Sequence, residues 1–118
     1  MMMRIIVIYK QFDIVTVPFP FTDSSDSKKR PAIIISSAEK FNSESRHSIM
    51  AMITSARNES WPCDISISNL TQAGLPKPSI IRMKFFTLDH RFILNVLGSL
   101  DLKDRNNVKK VLKNILEI

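Results

Sequence analysis

Three short stretches hold most of the side chains with chemistry to offer. The first, "FPFTDSSDSKKRP", sets Phe19 and Phe21 ahead of Lys28, Lys29 and Arg30. Arg30 precedes Pro31, so its backbone is pushed to an extended conformation that fixes its direction. A guanidinium held in this way can grip a phosphate with two donors and stabilise charge developing on it. Lys28 and Lys29 add positive potential, and the two phenylalanine rings offer faces on which bases can stack. The second stretch, "AMITS", ends an apolar run in Thr54 and Ser55, hydroxyls able to donate to a phosphoryl oxygen. The third, "SWPCD", carries Trp61, another ring with the choice between stacking on a base and packing. Each has a plainer reading: surface cations beside a strand, a strand-end threonine bonded to backbone, or phenylalanines packed over a barrel mouth or a dimer interface. Spacing alone leaves both readings open.

Other chemistries lack their residues. Two glycines, Gly74 and Gly98, cannot make a glycine-rich phosphate loop. The sequence has no HExxH, no clustered metal ligands and no GxSxG elbow, so no metal and no cofactor is expected. Cys63 with a distant His47 or His90 is a conceivable thiol nucleophile. Its place after Trp61-Pro62, at a strand entrance, fits a small apolar residue better. Nothing in the sequence brings the two histidines together for acid–base work.

Length and composition agree with a small intracellular domain. The 118 residues suit a single domain over 1–118 with one core. Seventeen Lys and Arg against eleven Asp and Glu give a formal net charge of +6, which favours polyanionic partners. A lone cysteine excludes an internal disulfide and suits a reducing cytoplasm. The opening "MMMRIIVIYKQ" is too short in its apolar run for a signal peptide or a membrane span. Residues 1–11 read as an extra N-terminal segment.

These residues need elements to position them. Strands are expected over 13–18, 32–36, 48–55, 64–68 and 79–88, with a last strand or irregular segment within 91–100. Residues 19–29 and 38–47 read as loops. The tail, 102–118, reads as a helix capped by Asp101, with Val108, Val111, Leu112 and Ile115 as its apolar stripe. Its lysines and arginine read as a solvated face. The sum is a mainly β fold, a small partly closed barrel with a C-terminal helix packed on it.

The series "DIVTVPFPFTD…KKRPAIIIS", "AMITS", "AGLPKPSIIR" and "FTLD" resembles the PemK/MazF-like toxins of bacterial type II toxin–antitoxin modules. The resemblance covers roughly residues 9–100. It implies the SH3-like, partly open barrel of the PemK/MazF/CcdB-like toxin fold, usually as a homodimer. It also implies a metal-independent endoribonuclease, an mRNA interferase, that cuts single-stranded RNA to 2′,3′-cyclic phosphate and 5′-hydroxyl ends. The family's catalytic arginine and threonine fall on Arg30 and Thr54. Phe19, Phe21, Lys28, Lys29, Ser55 and Arg82 then line the RNA path, with residues 19–29 as its flap. The implied partners are RNA and a cognate antitoxin, in the cytoplasm and without a membrane.

The sequence departs from the family in its glycines. Phe12 stands where many relatives have glycine before the aspartate matched by Asp13, no glycine lies near Ser27, and Cys63 follows "WP" where glycine is common. Two alternatives therefore accompany the nuclease: a relative that only binds RNA or antitoxin, and a toxin of the same fold directed at a protein such as DNA gyrase.

Overall fold

A computed structural model describes residues 7–19 and 28–118. The segment containing Phe21 lies outside them. Six strands form one antiparallel sheet: β1 (Asp13–Phe19), β2 (Lys28–Ile34), β3 (His47–Ser55), β4 (Ile65–Ser66), β5 (Ser79–Asp89) and β6 (Asn95–Ser99). Their spatial order is β4-β5-β3-β2-β1-β6. The sheet curls into a half-barrel, with a C-terminal helix on it. Among the described residues three α-helices follow the chain order α1 (Ser43–Ser45), α2 (Leu70–Ala73) and α3 (Leu102–Leu116). Among the described residues no helix is long and apolar enough to cross a membrane.

The strands carry apolar side chains on both faces, and each face finds a cover. Ile14, Ile33, Ala51, Ile53 and Ile81 form one cluster with Leu75, Leu100 and Val108, under α2 and α3. Val15, Val17, Ala32, Ile34 and Met50 form a second cluster with Leu88 and Ile93. Period-two alternation makes this split unavoidable once the register is set.

Three elements differ from the sequence reading. β2 begins at Lys28 rather than Ala32, because the hairpin with β1 continues through Val17↔Arg30 to Phe19↔Lys28. The three cations are therefore strand residues. Residues 38–45, expected as loop, form a π-helical turn (Ala38–Asn42) running into α1. Buried Asn42 holds that turn, donating to the carbonyls of Tyr9 (2.9 Å) and Ser36 (3.0 Å). Polar side chains that bond locally hide this element from a periodicity reading. The breaker-rich stretch after Ser68 contains α2, capped by Asn69, whose side chain accepts from Gln72 N.

The tail helix is capped as expected, with Asp101 accepting from Asp104 N at 2.9 Å. Asp104 itself is fully buried. Its carboxylate accepts from the backbone of Ser68 (3.1 and 3.0 Å) and Asn69 (3.2 Å), and from the Ser68 hydroxyl (2.8 Å). One acidic residue thus fastens α3 to the start of α2. The basic side of α3 is only partly solvated. Arg105 donates to Leu100 O at 2.7 Å, and the charged ends of Arg105 and Lys109 lie over the buried Phe12 ring, 5.6 and 5.7 Å from its centre. Ile115, read as part of the stripe, is exposed.

Both glycines belong to one contact. A Cβ on Gly98 would stand 2.2 Å from Gln72 O, and one on Gly74 would stand 2.1 Å from Leu97 O. Gly74 also takes φ +74° as the C-cap of α2. Meanwhile Phe12 (φ 73°) and Cys63 (φ 64°) take the left-handed backbone that favours glycine. The fold demands the conformation even where the sequence lacks the residue best suited to it.

Two stability outcomes follow, both measurable by urea unfolding. Gly98→Ala forces α2 away from β6 and lowers stability by ~1–3 kcal/mol. Cys63→Gly relieves a left-handed side chain of ~1–2 kcal/mol, against a glycine entropy cost of ~0.5–1 kcal/mol. It therefore leaves the protein as stable, or up to about 1.5 kcal/mol more stable.

Candidate functional site

The antiparallel register of β2 with β3 is Ala32↔Met52, Ile33↔Ala51 and Ile34↔Met50. Carried two residues further, it sets Arg30 opposite Thr54. Strand pairing does not continue that far. Pro31 brings no N–H to either neighbour, and the β2–β3 ladder stops at the next residue, Ala32. The strands part there, and a cavity of about 330 Å³ opens at the gap.

Its walls come from four places in the chain. β2 supplies Lys29, Arg30 and Pro31; β3 supplies Ile53, Thr54 and Ser55. The connection from α2 to β5 supplies Gly74, Leu75, Pro76, Lys77 and Ser79, and Thr16 and Leu97 close the remaining side. Among the described residues, three cations and four hydroxyl residues border the cavity and no carboxylate does. Among the described residues Lys29, Arg30 and Lys77 take part in no ion pair. Positive charge beside hydroxyl donors is an environment that suits a phosphate.

Thr54 has one specific partner. The Asn58 side-chain amide donates to its Oγ1. A hydroxyl oxygen that already accepts one hydrogen bond keeps its own hydrogen available for donation. Ser55, beside it, accepts from Arg57 N at 3.3 Å. Ser79 donates to Lys77 O at 2.8 Å and fixes the turn that brings Lys77 to the rim.

The residues singled out from the sequence separate into groups. Arg30, Thr54, Lys29 and Ser55 come together at the cavity. Lys28 is exposed at the start of β2, opposite the half-buried Phe19 at the end of β1. Phe21 lies outside the described residues. Arg82 is absent from the cavity wall. It makes a two-point ion pair with Asp64, Nη2–Oδ2 2.9 Å and Nε–Oδ1 3.2 Å, and also donates to Glu59 O. Both side chains of the pair are 12% exposed. That contact holds the Asp64 carboxyl below its ordinary pKa, against a smaller opposing push from burial.

Asn58, Lys77, Ser79 and Thr16 went unnoticed in the sequence. Lys77 carried a usable signal, since Lys77-Pro78 repeats the Arg30-Pro31 arrangement of a cation fixed by a following proline. Asn58 carried none, because its role depends on the turn after β3. Sequence also gave no reason to associate the histidines, yet both sit at the far end of β3 and β5. His90 Nε2 lies 2.8 Å from the hydroxyl of fully buried Ser48, and its ring meets Tyr9 edge-on at 4.6 Å. His47 Nε2 stands 3.8 Å from Asp89. Burial, then the neighbouring His47, push the His90 pKa down. A serine sealed from solvent cannot serve as a nucleophile, so this pair is structural.

A family model of PemK-like, MazF-like toxins of type II toxin–antitoxin systems matches residues 10–116. Solved structures with the same fold include a MazE–MazF complex from Deinococcus radiodurans, at 18% identity and TM-score 0.75, covering 95% of this chain and 99% of that one. A mycobacterial endoribonuclease in complex with its cognate antitoxin aligns at 13% identity and TM-score 0.73, over 93% and 96% of the two chains. The Mycobacterium tuberculosis toxin MazF-mt6 aligns at 15% identity and TM-score 0.68, over 90% and 97%. No curated protein matches the sequence.

The shifted groups fix how stability responds to acid. His90 has a folded pKa below its ordinary 6.5, so the neutral-histidine stabilisation is full above that pH and is lost as pH falls below it. Asp64 and Asp89 have folded pKa values below 3.8, so their stabilisation is full above about pH 4 and lost below it. Chemical unfolding followed across pH is expected to show both declines. Asp64→Asn weakens the second and leaves the first.

Proposed function

The chain belongs to the PemK-like, MazF-like toxins of type II toxin–antitoxin systems, and on that premise we propose that it is a metal-independent endoribonuclease acting on single-stranded RNA. What supports the proposal most is that Arg30 and Thr54 both border one cavity, together with Lys29 and Lys77.

The reaction is an internal transfer at phosphorus. The ribose 2′-oxygen attacks, the bond from phosphorus to the 5′-oxygen breaks, the 2′-hydroxyl loses a proton and the leaving oxygen gains one. The products are a 2′,3′-cyclic phosphate and a 5′-hydroxyl. No water enters the first step, so the protein's task is to align three atoms and to stabilise charge on the pentavalent phosphorus. Arg30 supplies two parallel donors and a full charge to the non-bridging oxygens. Thr54, with its oxygen engaged by Asn58, donates its hydrogen to the same group. Lys29 and Lys77 hold the flanking phosphates.

The same charge suits a neutralising partner. A cognate antitoxin with an acidic, partly disordered segment laid across Arg30, Lys29 and Lys77 blocks the site directly. The solved complexes of similar fold each contain an antitoxin. A homodimer acting in the cytoplasm completes the reading.

The test is direct. The purified chain, in EDTA, is incubated with a long single-stranded RNA of varied sequence and the new ends are mapped. Cuts with 5′-hydroxyl ends are expected, and Arg30→Ala and Thr54→Ala should each slow cutting by roughly 10²–10³-fold. Folded protein that leaves all such RNA intact, or cuts equally well without Arg30, overturns the proposal.

A further inference from the structure

The turn between β3 and β4 carries an aromatic residue that the cavity does not use. Trp61 is 44% exposed, although indole is among the side chains that gain most from burial. It is not loose. Its backbone N–H donates to Asp64 Oδ2 at 2.9 Å, and the same carboxylate is held at two points by Arg82. Arg82 in turn donates to Glu59 O. Pro62 follows directly and Cys63 is left-handed, so the turn is closed on both sides of the ring. The ammonium of Lys84 lies 4.7 Å from the ring centre, and the Arg82 guanidinium lies 6.0 Å from it.

The sheet register says where this ring stands. Thr54 pairs with Ile80, and Met52 with Arg82. Arg82 is therefore on the face of Thr54, as its diagonal neighbour about 7–8 Å away. β4 pairs as Ser66↔Ile80 and Ile65↔Ile81, which one residue further sets Asp64 opposite Arg82. Arg30 belongs to the same face, since it continues the alternation of Ile34 and Ala32. A row of positions thus runs across the sheet from Arg30 through Thr54 to Arg82, with Trp61 above its far end.

We propose that Trp61 is a stacking platform for an unpaired base of the bound RNA, one position along from the phosphate at Arg30 and Thr54. The inference rests on the nuclease reading and specifies how that site holds its substrate. A lysine over an exposed ring is a weaker contact than a base stacked on it, so the base takes the ring and the Lys84 ammonium turns to the neighbouring phosphate. Asp64 and Arg82 are positioning residues: they aim the indole and do not touch RNA. Cations on the same face make nucleic acid a better fit than an apolar protein segment. Stacking on a single ring reads no base edge, so the platform gives affinity with little base preference.

Trp61 is the only tryptophan, which makes its fluorescence a reporter of this one site. The full chain is titrated with a short single-stranded 2′-O-methyl oligonucleotide, which cannot be cut by 2′-oxygen attack. Binding is read separately from the anisotropy of a label on the oligonucleotide. The indole should be quenched on binding, and an abasic oligonucleotide of equal length should leave it bright. Trp61→Ala should weaken binding of the base-bearing oligonucleotide about 5- to 150-fold, Trp61→Phe less, and neither should change binding of the abasic chain. Binding with undiminished fluorescence and unchanged affinity in Trp61→Ala overturns the platform but leaves the nuclease reading intact. Failure of the folded protein to bind any oligonucleotide overturns both. Indole fluorescence that responds to the cognate antitoxin and not to the oligonucleotide assigns the ring to the protein partner and also overturns the proposal. Quenching in the wild-type chain stands even if a substitution at Trp61 impairs folding.

Discussion

Two backbones come closer here than side chains would allow, and the site is built on that approach. The Gln72–Gly74 segment touches Leu97–Gly98 with no Cβ between them. Neither glycine can be replaced without pushing a carbonyl aside. The contact presses α2 onto the sheet, and the connection that leaves α2 becomes the Leu75–Lys77 wall of the cavity. Asp104 secures the other end of α2 through Ser68 and Asn69. A buried carboxylate is tolerable because those donors replace the water it loses. The helix read as a simple cover is therefore also what holds the cavity wall in place.

The cavity depends equally on something withheld. A continuous β2–β3 ladder would close the space between Arg30 and Thr54. Pro31 cannot donate to a neighbouring strand, and the pairing ends beside it. The proline thus fixes the direction of Arg30 and also gives it room. Charge follows the same economy of position. Lys29, Arg30 and Lys77 face a rim that has no carboxylate among the described residues, while Arg82, Arg91 and Arg105 are engaged by Asp64, Asp89 and Leu100 O. Net charge alone would have counted all six alike.

Two side-chain-bearing residues in left-handed conformation show how firmly the fold sets the backbone. Phe12 keeps φ 73° and Cys63 keeps φ 64°. At Phe12 the strain is offset by burial of the ring under Arg105 and Lys109 and by backbone bonds to Ile34 O (2.6 Å) and from Leu100 N (3.0 Å). At Cys63, which is exposed, the Asp64–Arg82 pair next to it holds the turn. A residue other than glycine keeps a left-handed conformation when neighbouring contacts over-determine it.

Much of this was legible in the amino-acid sequence because it depends on local rules. Alternation and β-branching gave the strands, Asp101 gave the start of the tail helix, and the Arg30-Pro31 and Thr54-Ser55 pairs carried the family resemblance. Local rules failed where polar side chains define an element, as in the turn over 38–45, and where a ladder outruns its apolar core, as at Lys28. What sequence could not supply was any relation between distant segments. That Arg30 and Thr54 border one cavity is a matter of strand register. That Lys77 joins them follows from the glycine contact between α2 and β6. That Arg82 serves Asp64 and Trp61 rather than the cavity depends on the pairing of β4 with β5. The sequence by itself determined the strand alternation, the tail helix and the family; the tertiary structure decided which side chains meet, because strand register and close backbone packing join residues that no spacing along the chain connects.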